Sequence, residues 1–215
     1  RDFGLGARRS AALIPSQPSS RVFDLGHRAG MTGRTGDNMA ESTANDSPPL
    51  DVAIIGAGFS GMYMLKKTRD MMGLKAKVFE AGDTVGGTWY WNRYPGARCD
   101  SECYIYCYTF DKQLLQEWEW SERYPEQPEI LRYLEHVAAR HDLKRDIKFD
   151  TKVAGCEYDE KTKLWTVRTD KGDEVKARHV VAAVGSLSTT NVPTFKGLEN
   201  FKGKWYHTSR FPKGG

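Results

Sequence analysis

DVAIIGAGFSGMYMLKKTRDMMG, residues 51–73, is the stretch of sequence that decides the fold. Its first residues form a short apolar run, which is typical of a strand buried in a parallel sheet. Residues 58–73 follow as a predicted helix, and Gly73 stands where a glycine commonly ends a helix. A strand and a helix joined by a glycine-rich turn predict the start of a βαβ unit.

The turn itself reads G-x-G-x-x-G, with Gly56, Gly58 and Gly61 at its fixed positions. In this motif the first glycine permits the turn, the second lets backbone N–H groups approach a pyrophosphate, and the third allows close packing of helix on strand. Glu80 closes the next predicted strand, where a carboxylate accepts hydrogen bonds from a ribose and repels a 2′-phosphate. FAD or NAD is therefore expected here, and the alternative is a glycine-rich turn without a ligand.

The remaining pattern favours FAD over NAD. A second glycine pair, Gly86 and Gly87, follows Glu80 where the chain must pass close to the cofactor. Residues 127–143 predict an amphipathic helix with apolar residues at helical spacing, and residues 147–170 predict two strands of a β-meander. Residues 174–185 end in an apolar run that can return to the parallel sheet. The predicted fold class is α/β: a three-layer, Rossmann-like FAD-binding domain over residues 50–212, with an inserted β-meander.

Residues 1–49 differ from the rest of the chain. They are rich in Gly, Ser, Arg and Pro, a composition typical of disorder, and they loosely resemble an organelle transit peptide. We interpret them as a disordered or non-native extension, with Met31 or Met39 as a natural start. The net charge of +4 is spread without a basic tract, and no apolar run reaches 18 residues. Neither a nucleic-acid partner nor a membrane span is predicted, and a cytoplasmic location is expected.

Residues 86–102, GGTWYWNRYPGARCDSE, show neither helical nor strand periodicity and are predicted to form a loop. Cys99, Cys103 and Cys107 stand four residues apart in and after it. No second Cys or His pair follows at zinc spacing, and the segment is expected to be extended, so no metal site is predicted. With Cys156, these residues are interpreted as buried or half-buried thiols in a reducing compartment.

Two motifs carry a family resemblance. Residues 86–100, GGTWYWNRYPGARCD, resemble the Baeyer–Villiger monooxygenases, flavin enzymes that insert oxygen beside a ketone carbonyl. Residues 201–212, FKGKWYHTSRFP, match the family pattern F-x-G-x-x-x-H-T-x-x-W-P except that Phe211 replaces Trp. The resemblance covers residues 51–212 and is nearest to the branch acting on phenylacetone, cyclic ketones and steroids.

The resemblance implies a set of site residues. Those implied for FAD are Gly56, Gly58, Phe59, Ser60 and Gly61 at the pyrophosphate, Glu80 at the ribose, Thr88, Trp89 and Trp91 along the site, Tyr106 near the isoalloxazine, and the backbone of Val153 near the adenine. Those implied where NADP approaches are Arg98, Cys99 and Asp100. Asp100 also faces the flavin and orients a catalytic Arg from a later part of the family's chain. His207 belongs to the linker and couples domain motion to catalysis.

Each assignment has a plain structural alternative. Trp89 and Trp91 could be core aromatics, and Arg98 and Asp100 could form a surface ion pair of little consequence. Tyr106 could be an ordinary aromatic of a strand in YIYCYTF, residues 104–110. His207 alone could be structural.

The resemblance further implies an NADPH- and O2-dependent reaction that turns ketones into esters or lactones through a C4a-peroxyflavin, with FAD and NADPH as cofactors. Only one G-x-G-x-x-G occurs in the 215 residues, whereas the family has a second one for NADPH after this point. We therefore expect an N-terminal fragment with the NADPH domain truncated away, inactive alone. The alternatives are another class B flavin monooxygenase that oxygenates nitrogen or sulfur, which the HTSRF segment disfavours, and a non-catalytic flavin-binding fragment.

Overall fold

The computed structural model describes residues 23–24 and 47–213. Its strands are β1 Phe23–Asp24, β2 Leu50–Ile55, β3 Ala76–Phe79, β4 Ile147–Lys148, β5 Val153–Asp159, β6 Leu164–Thr169 and β7 Glu174–Ala182. Its α-helices are α1 Phe59–Lys66, α2 Thr88–Trp91, α3 Lys112–Glu117 and α4 Gln127–Arg140. A π-helical turn, Lys67–Met71, continues α1, and short 3-10 helices cover Lys144–Asp146, Leu198–Asn200 and Thr208–Arg210. Apart from β1, the interpretation of residues 1–46 lies outside the described residues.

The described strands form one mixed sheet in the order β1-β5-β6-β7-β2-β3-β4. Strand β2 runs parallel to β3 and to β7, and β3 runs parallel to β4. Strands β5, β6 and β7 form an antiparallel meander, with a polar turn at residues 160–163 between β5 and β6. The first half of β7 pairs with β6 and its apolar second half pairs with β2, which confirms the predicted return to the parallel sheet.

Residues of β2 alternate between two apolar clusters. Val52 and Ile54 pack with Met62 and Leu65 of α1 and with the buried face of α4. Ala53 belongs to a second cluster with Phe79, Val153 and Val167. This alternation follows from the two-residue period of a strand. The predicted apolar face of α4 is confirmed, because Ile130, Leu134, Val137 and Ala138 are buried and Leu131 packs against them.

The loop predicted for residues 86–102 contains a helical turn, so that prediction was wrong at Thr88–Trp91. Gly86 and Gly87 have φ angles of +136° and +54°, and they turn the chain into this helix. Trp91 N–H then donates to Gly87 O over 3.1 Å. A single turn is too short to produce a helical period in the sequence, which explains why the pattern does not reveal it.

The segment after Cys99 is not extended, which corrects the second expectation for this region. The N–H groups of Ile105 and Tyr106 both donate to Glu102 O over 3.0 Å, so the chain folds into consecutive turns. Tyr106 is therefore not the strand aromatic offered as its alternative. The alternating aromatic residues imitate a strand pattern although their rings pack around a turn.

Helix α3 was not predicted, and Asp111 begins it. The Asp111 carboxylate caps the helix by accepting from Gln113 N–H over 3.1 Å and from Leu114 N–H over 3.0 Å. Arg140, at the end of α4, donates to the same carboxylate over 2.8 Å. The cap and Arg140 hold the pKa of Asp111 at about 2.

Replacing Asp111 with Asn is expected to weaken the acid sensitivity of the chain. A depressed folded-state pKa stabilises the fold above the ordinary carboxyl pKa of about 4, and this contribution is lost as the pH falls from about 4 towards 2. Asn keeps the cap but carries no charge. The urea midpoint should therefore fall less from pH 5 to pH 2.5 in Asp111→Asn than in the wild type. Glu119→Gln, an exposed acid nearby, is the control; equal acid sensitivity in wild type and Asp111→Asn would contradict the assignment.

Candidate functional site

The glycines of the G-x-G-x-x-G turn are required by close backbone packing. Gly56 has a φ of +99°, and a Cβ atom there would lie 2.7 Å from the carbonyl oxygen of Ala183, which follows β7. A Cβ atom at Gly61 would overlap the Gly56 carbonyl group and lie 2.9 Å from its carbon. The first and third glycines therefore let β7, the turn and α1 meet.

The second glycine faces the glycine pair that precedes α2. A Cβ atom at Gly58 would lie 3.3 Å from Gly87 Cα, and one at Gly87 would lie 2.7 Å from Gly58 Cα. Gly86 N–H donates to Ala57 O over 3.0 Å and holds the two segments together. The structure thus builds a side-chain-free cradle from two parts of the chain.

Helix α1 begins in this cradle. Gly58 is its N-cap, and no side chain caps the helix. The first helical hydrogen bond runs from Met62 N–H to Gly58 O over 3.0 Å. The N–H groups of Phe59, Ser60 and Gly61 precede it and are left for another acceptor. Such a group of donors at the positive end of a helix suits an anion, and a phosphate above all.

Glu80 lies beside the cradle and is only 4% exposed. One carboxylate oxygen accepts from Ala57 N–H over 2.6 Å and the other accepts from Gly82 N–H over 2.8 Å. The side chain therefore fixes both the glycine turn and the loop after β3. Each oxygen keeps a further lone pair, so the carboxylate can still accept from a ligand hydroxyl.

Aromatic side chains come together on the α2 side of the cradle. Trp89 is buried and donates its indole N–H to the Tyr106 hydroxyl over 3.1 Å. The Tyr106 ring meets Phe59 edge to face, with ring centroids 4.9 Å apart. Burial raises the pKa of Tyr106, which keeps the hydroxyl protonated. The structure thus brings together three predicted site residues from separate segments.

Trp91 does not join this group. Its side chain is 41% exposed and packs edge to face on Tyr90, with ring centroids 4.7 Å apart. Thr88 is half-buried and begins α2. Trp89 is buried among apolar residues and also borders the cradle, so the alternative of a core aromatic fits it. That alternative does not fit the exposed Trp91.

Val153 opens β5 and is 3% exposed. Two residues earlier, Thr151 N–H donates to the backbone carbonyl of Glu80 over 2.8 Å. This bond places the start of the meander beside the acidic residue, and the family resemblance implies a contact between the Val153 backbone and the adenine end of FAD.

Arg98 and Asp100 do not pair with each other, and the surface ion pairs of Arg98 are made with Glu122 and Glu126 instead. Arg98 binds Glu122, and it donates to Glu126 over 2.8 Å and to Tyr124 O over 2.6 Å. Asp100 is exposed, and no ion pair engages it within residues 47–213. Cys99 is 5% exposed, and burial raises the pKa of its thiol.

The other cysteines are also free thiols. Cys103 and Cys156 are buried and Cys107 is half-buried, as the sequence predicted. Burial raises the pKa of all of them, so the thiols stay protonated near neutral pH. In the part of the chain that the structure describes, no group of His, Cys, Asp and Glu has metal-binding geometry. Across the same residues, no helix has the length and hydropathy needed to cross a bilayer.

His207 begins the last 3-10 helix and makes local contacts. Its Nδ1 lies 2.8 Å from Ser209 Oγ, which in turn lies 2.9 Å from Thr190 Oγ1. Within the described residues, no hydrogen bond or ion pair joins His207 to the cradle. The segment that follows it does reach the cradle's surroundings, because Lys213 Nζ donates to Asp83 over 2.9 Å and to the Tyr90 hydroxyl over 3.1 Å.

Sequence reasoning missed two residues that hold the site. The Gln127 side-chain amide at the start of α4 donates to the carbonyl of Trp89. The Tyr108 hydroxyl donates to the carbonyl of Phe59 over 2.7 Å. Both bonds join positions far apart in the chain, so no local sequence pattern predicts them.

Comparisons with known proteins agree with this geometry. The family model described as "Flavin-binding monooxygenase-like" matches residues 50–214. A Baeyer-Villiger monooxygenase from Pseudooceanicola batsensis is 50% identical over 174 residues, covering 81% of this chain and 32% of that protein. The phenazine N-monooxygenase PhzNO1 from Lysobacter antibioticus is 45% identical over 168 residues, covering 78% of this chain and 31% of that protein.

A solved structure of an oxidized steroid monooxygenase bound to NADP has a TM-score of 0.71 with this chain. The two are 55% identical, and the match covers 77% of this chain and 32% of the other. This similarity confirms the predicted fold class. The chain spans about a third of the length of the curated relatives that it matches. Together with the family match over most of its length, these findings show that the chain belongs to the flavin-binding monooxygenase-like family.

Proposed function

We propose that this chain is the FAD-binding portion of an NADPH- and O2-dependent Baeyer–Villiger monooxygenase that converts ketones to esters or lactones. The observation that carries the proposal is the cradle in which Gly58 faces Gly87 beside the buried carboxylate of Glu80. The Baeyer-Villiger monooxygenase among its relatives supports the reaction class.

The residues of the cradle fit FAD. The free N–H groups at the start of α1 complement an anionic pyrophosphate, and the absence of side chains at Gly58 and Gly87 lets it approach the backbone. Glu80 would accept hydrogen bonds from the ribose hydroxyls. Its negative charge disfavours the 2′-phosphate of NADP, so NADPH is assigned to a separate site.

FAD, when bound, supplies the redox chemistry, and the residues of this chain hold and enclose it. Phe59, Trp89 and Tyr106 would form an apolar wall that excludes water from the reacting face. The bond from Trp89 to Tyr106 fixes the orientation of both rings. Thr88 and Val153 would line the site beyond this wall, and Trp91 would do so only at its exposed edge.

Asp100 and Arg98 have different proposed roles on the side where NADPH approaches. Asp100 is exposed and free of an ion pair within the described residues, so it is available to orient an Arg supplied from outside them. Arg98 is held by two carboxylates, which fixes its position and partly neutralises its charge. We propose that Arg98 and Cys99 border the approach of NADPH, and that His207 transmits linker movement. The proposed partners are a ketone and O2, and no nucleic-acid partner is proposed. The proposed location is the cytoplasm.

A second candidate is oxygenation of a nitrogen atom. The relative named phenazine N-monooxygenase is 45% identical to this chain, almost as similar as the Baeyer-Villiger relative. Because both share this portion, the choice between ketone and amine would depend on residues outside it.

A chimera tests the proposed function. Residues 50–213 would replace the matching segment of the Pseudooceanicola batsensis relative, and the product would be identified by gas chromatography. The expected result is ester or lactone formation from a ketone that this relative oxidises, coupled to NADPH consumption. A folded, flavin-loaded chimera without ketone oxidation would contradict the proposal, and N-oxide formation alone would favour the second candidate. The isolated chain is expected to show no ketone-dependent NADPH consumption. Robust coupled turnover by this chain would contradict the proposal that it is only the FAD-binding portion of the enzyme.

A further inference from the structure

We propose that Tyr108 is a positioning residue for the phosphate-binding turn, because its hydroxyl holds the first carbonyl group of α1. The ligand in this inference rests on the proposed function. The contact itself is present in the chain without a ligand. The positioning role of Tyr108 and the proposed function can therefore be tested separately.

The contact links three elements. Tyr108 is 7% exposed and donates its hydroxyl to Phe59 O over 2.7 Å. Its own N–H donates to the hydroxyl of Tyr133 over 2.8 Å, and Tyr133 is 1% exposed on α4. A continuous path of hydrogen bonds therefore runs from α4 through Tyr108 to the start of α1, and the bond between Tyr108 and Tyr133 is buried.

Ring packing makes this path rigid. The Tyr108 ring centroid lies 5.1 Å from that of Phe59 and 6.2 Å from that of Tyr133. Burial raises the pKa of Tyr133 to about 12 and raises that of Tyr108 further. Both hydroxyls thus keep their protons across the physiological range, and Tyr108 remains a donor.

The position of Phe59 O decides what the bond can do. Phe59 is the first residue of α1, and its peptide group belongs to the turn whose N–H groups would bind the pyrophosphate. Fixing its carbonyl fixes the direction of the following N–H groups. A turn ordered before the ligand arrives loses less entropy on binding, which raises affinity without any contact between Tyr108 and the ligand.

Thr68 offers a matched comparison. It is 4% exposed, and its hydroxyl donates to Met64 O over 2.6 Å. Thr68→Val therefore removes a buried hydroxyl-to-carbonyl bond near the opposite end of the same helical segment. Tyr108→Phe removes the equivalent bond at the start, while the ring remains in place.

The experiment measures FAD affinity of the 215-residue chain by fluorescence titration, and amide exchange at Met62 by NMR in the free chain. Tyr108→Phe is expected to weaken FAD binding about fivefold, because one hydrogen bond contributes about 1 kcal/mol and 1.4 kcal/mol is tenfold in affinity. The bond from Met62 N–H to Gly58 O closes the first turn, so its exchange should accelerate in the same variant. Thr68→Val should leave FAD affinity within about twofold and Met62 exchange unchanged.

Similar behaviour of the two variants in both measurements would overturn the inference, because any loss would then be a general loss of stability. If the wild-type chain does not bind FAD, the proposed function fails. Met62 exchange then decides the inference by itself: faster exchange in Tyr108→Phe alone supports the positioning role, and equal exchange overturns it.

Discussion

Replacing Gly61 with alanine is expected to lower the free energy of unfolding by about 3 kcal/mol or more. The added methyl group would overlap the carbonyl group of Gly56, whose carbon would be 2.9 Å away. Neither partner can yield cheaply, because the Gly56 carbonyl is backbone and α1 is packed on β2 through Met62 and Leu65. Alanine's better helix propensity offsets at most about 1 kcal/mol of this cost.

Urea unfolding at neutral pH measures the effect, and Gly73→Ala is the control. Gly73 has a φ of +66° with open space around it, so alanine there costs only the backbone strain of about 1–2 kcal/mol. A Gly61→Ala variant that is as stable as Gly73→Ala would contradict the close packing of the turn on the helix.

Replacing Glu80 with Gln is expected to weaken FAD binding at least about a hundredfold. A hydrogen bond to a charged group contributes about 1.5–3 kcal/mol, and the carboxylate would accept two from the ribose hydroxyls. The substitution also affects the free chain. One of the two N–H groups that Glu80 now binds, on Ala57 and Gly82, would face an amide NH2 group. The unfolding free energy should fall by about 1–3 kcal/mol as a result.

FAD affinity and urea unfolding would be measured on the same preparations. Asp83→Asn is the control, because Asp83 is an acid of the same loop but is exposed and pairs with Lys213. It should change neither quantity appreciably. Equal FAD affinities of Glu80→Gln and Asp83→Asn would remove Glu80 from the site.

The main elements could be predicted because their signals are local. The glycine motif, the apolar β2 run and the periodic face of α4 each fall within one segment, and the structure confirms all of them. The helical turn at Thr88–Trp91 could not be predicted, since its geometry depends on positive φ angles at Gly86 and Gly87 rather than on periodicity.

The site could be predicted only in part, for a similar reason. The spacing of the glycines and Glu80 indicates them in the sequence, whereas the aromatic wall was expected only from the family resemblance. The partners of Arg98, Glu122 and Glu126, lie in a separate segment, and no pattern near Arg98 indicates them. The role of Tyr108 could not be predicted, because the alternating aromatic residues around it suggest a strand whereas the chain forms turns there.

Isothermal titration calorimetry of the purified chain with FAD, repeated with NADP+, tests the proposed FAD site most directly. We expect saturable binding of one FAD per chain and much weaker binding of NADP+, because the Glu80 carboxylate would repel a 2′-phosphate. Failure of a folded chain to bind FAD, or tighter binding of NADP+ than of FAD, would contradict it.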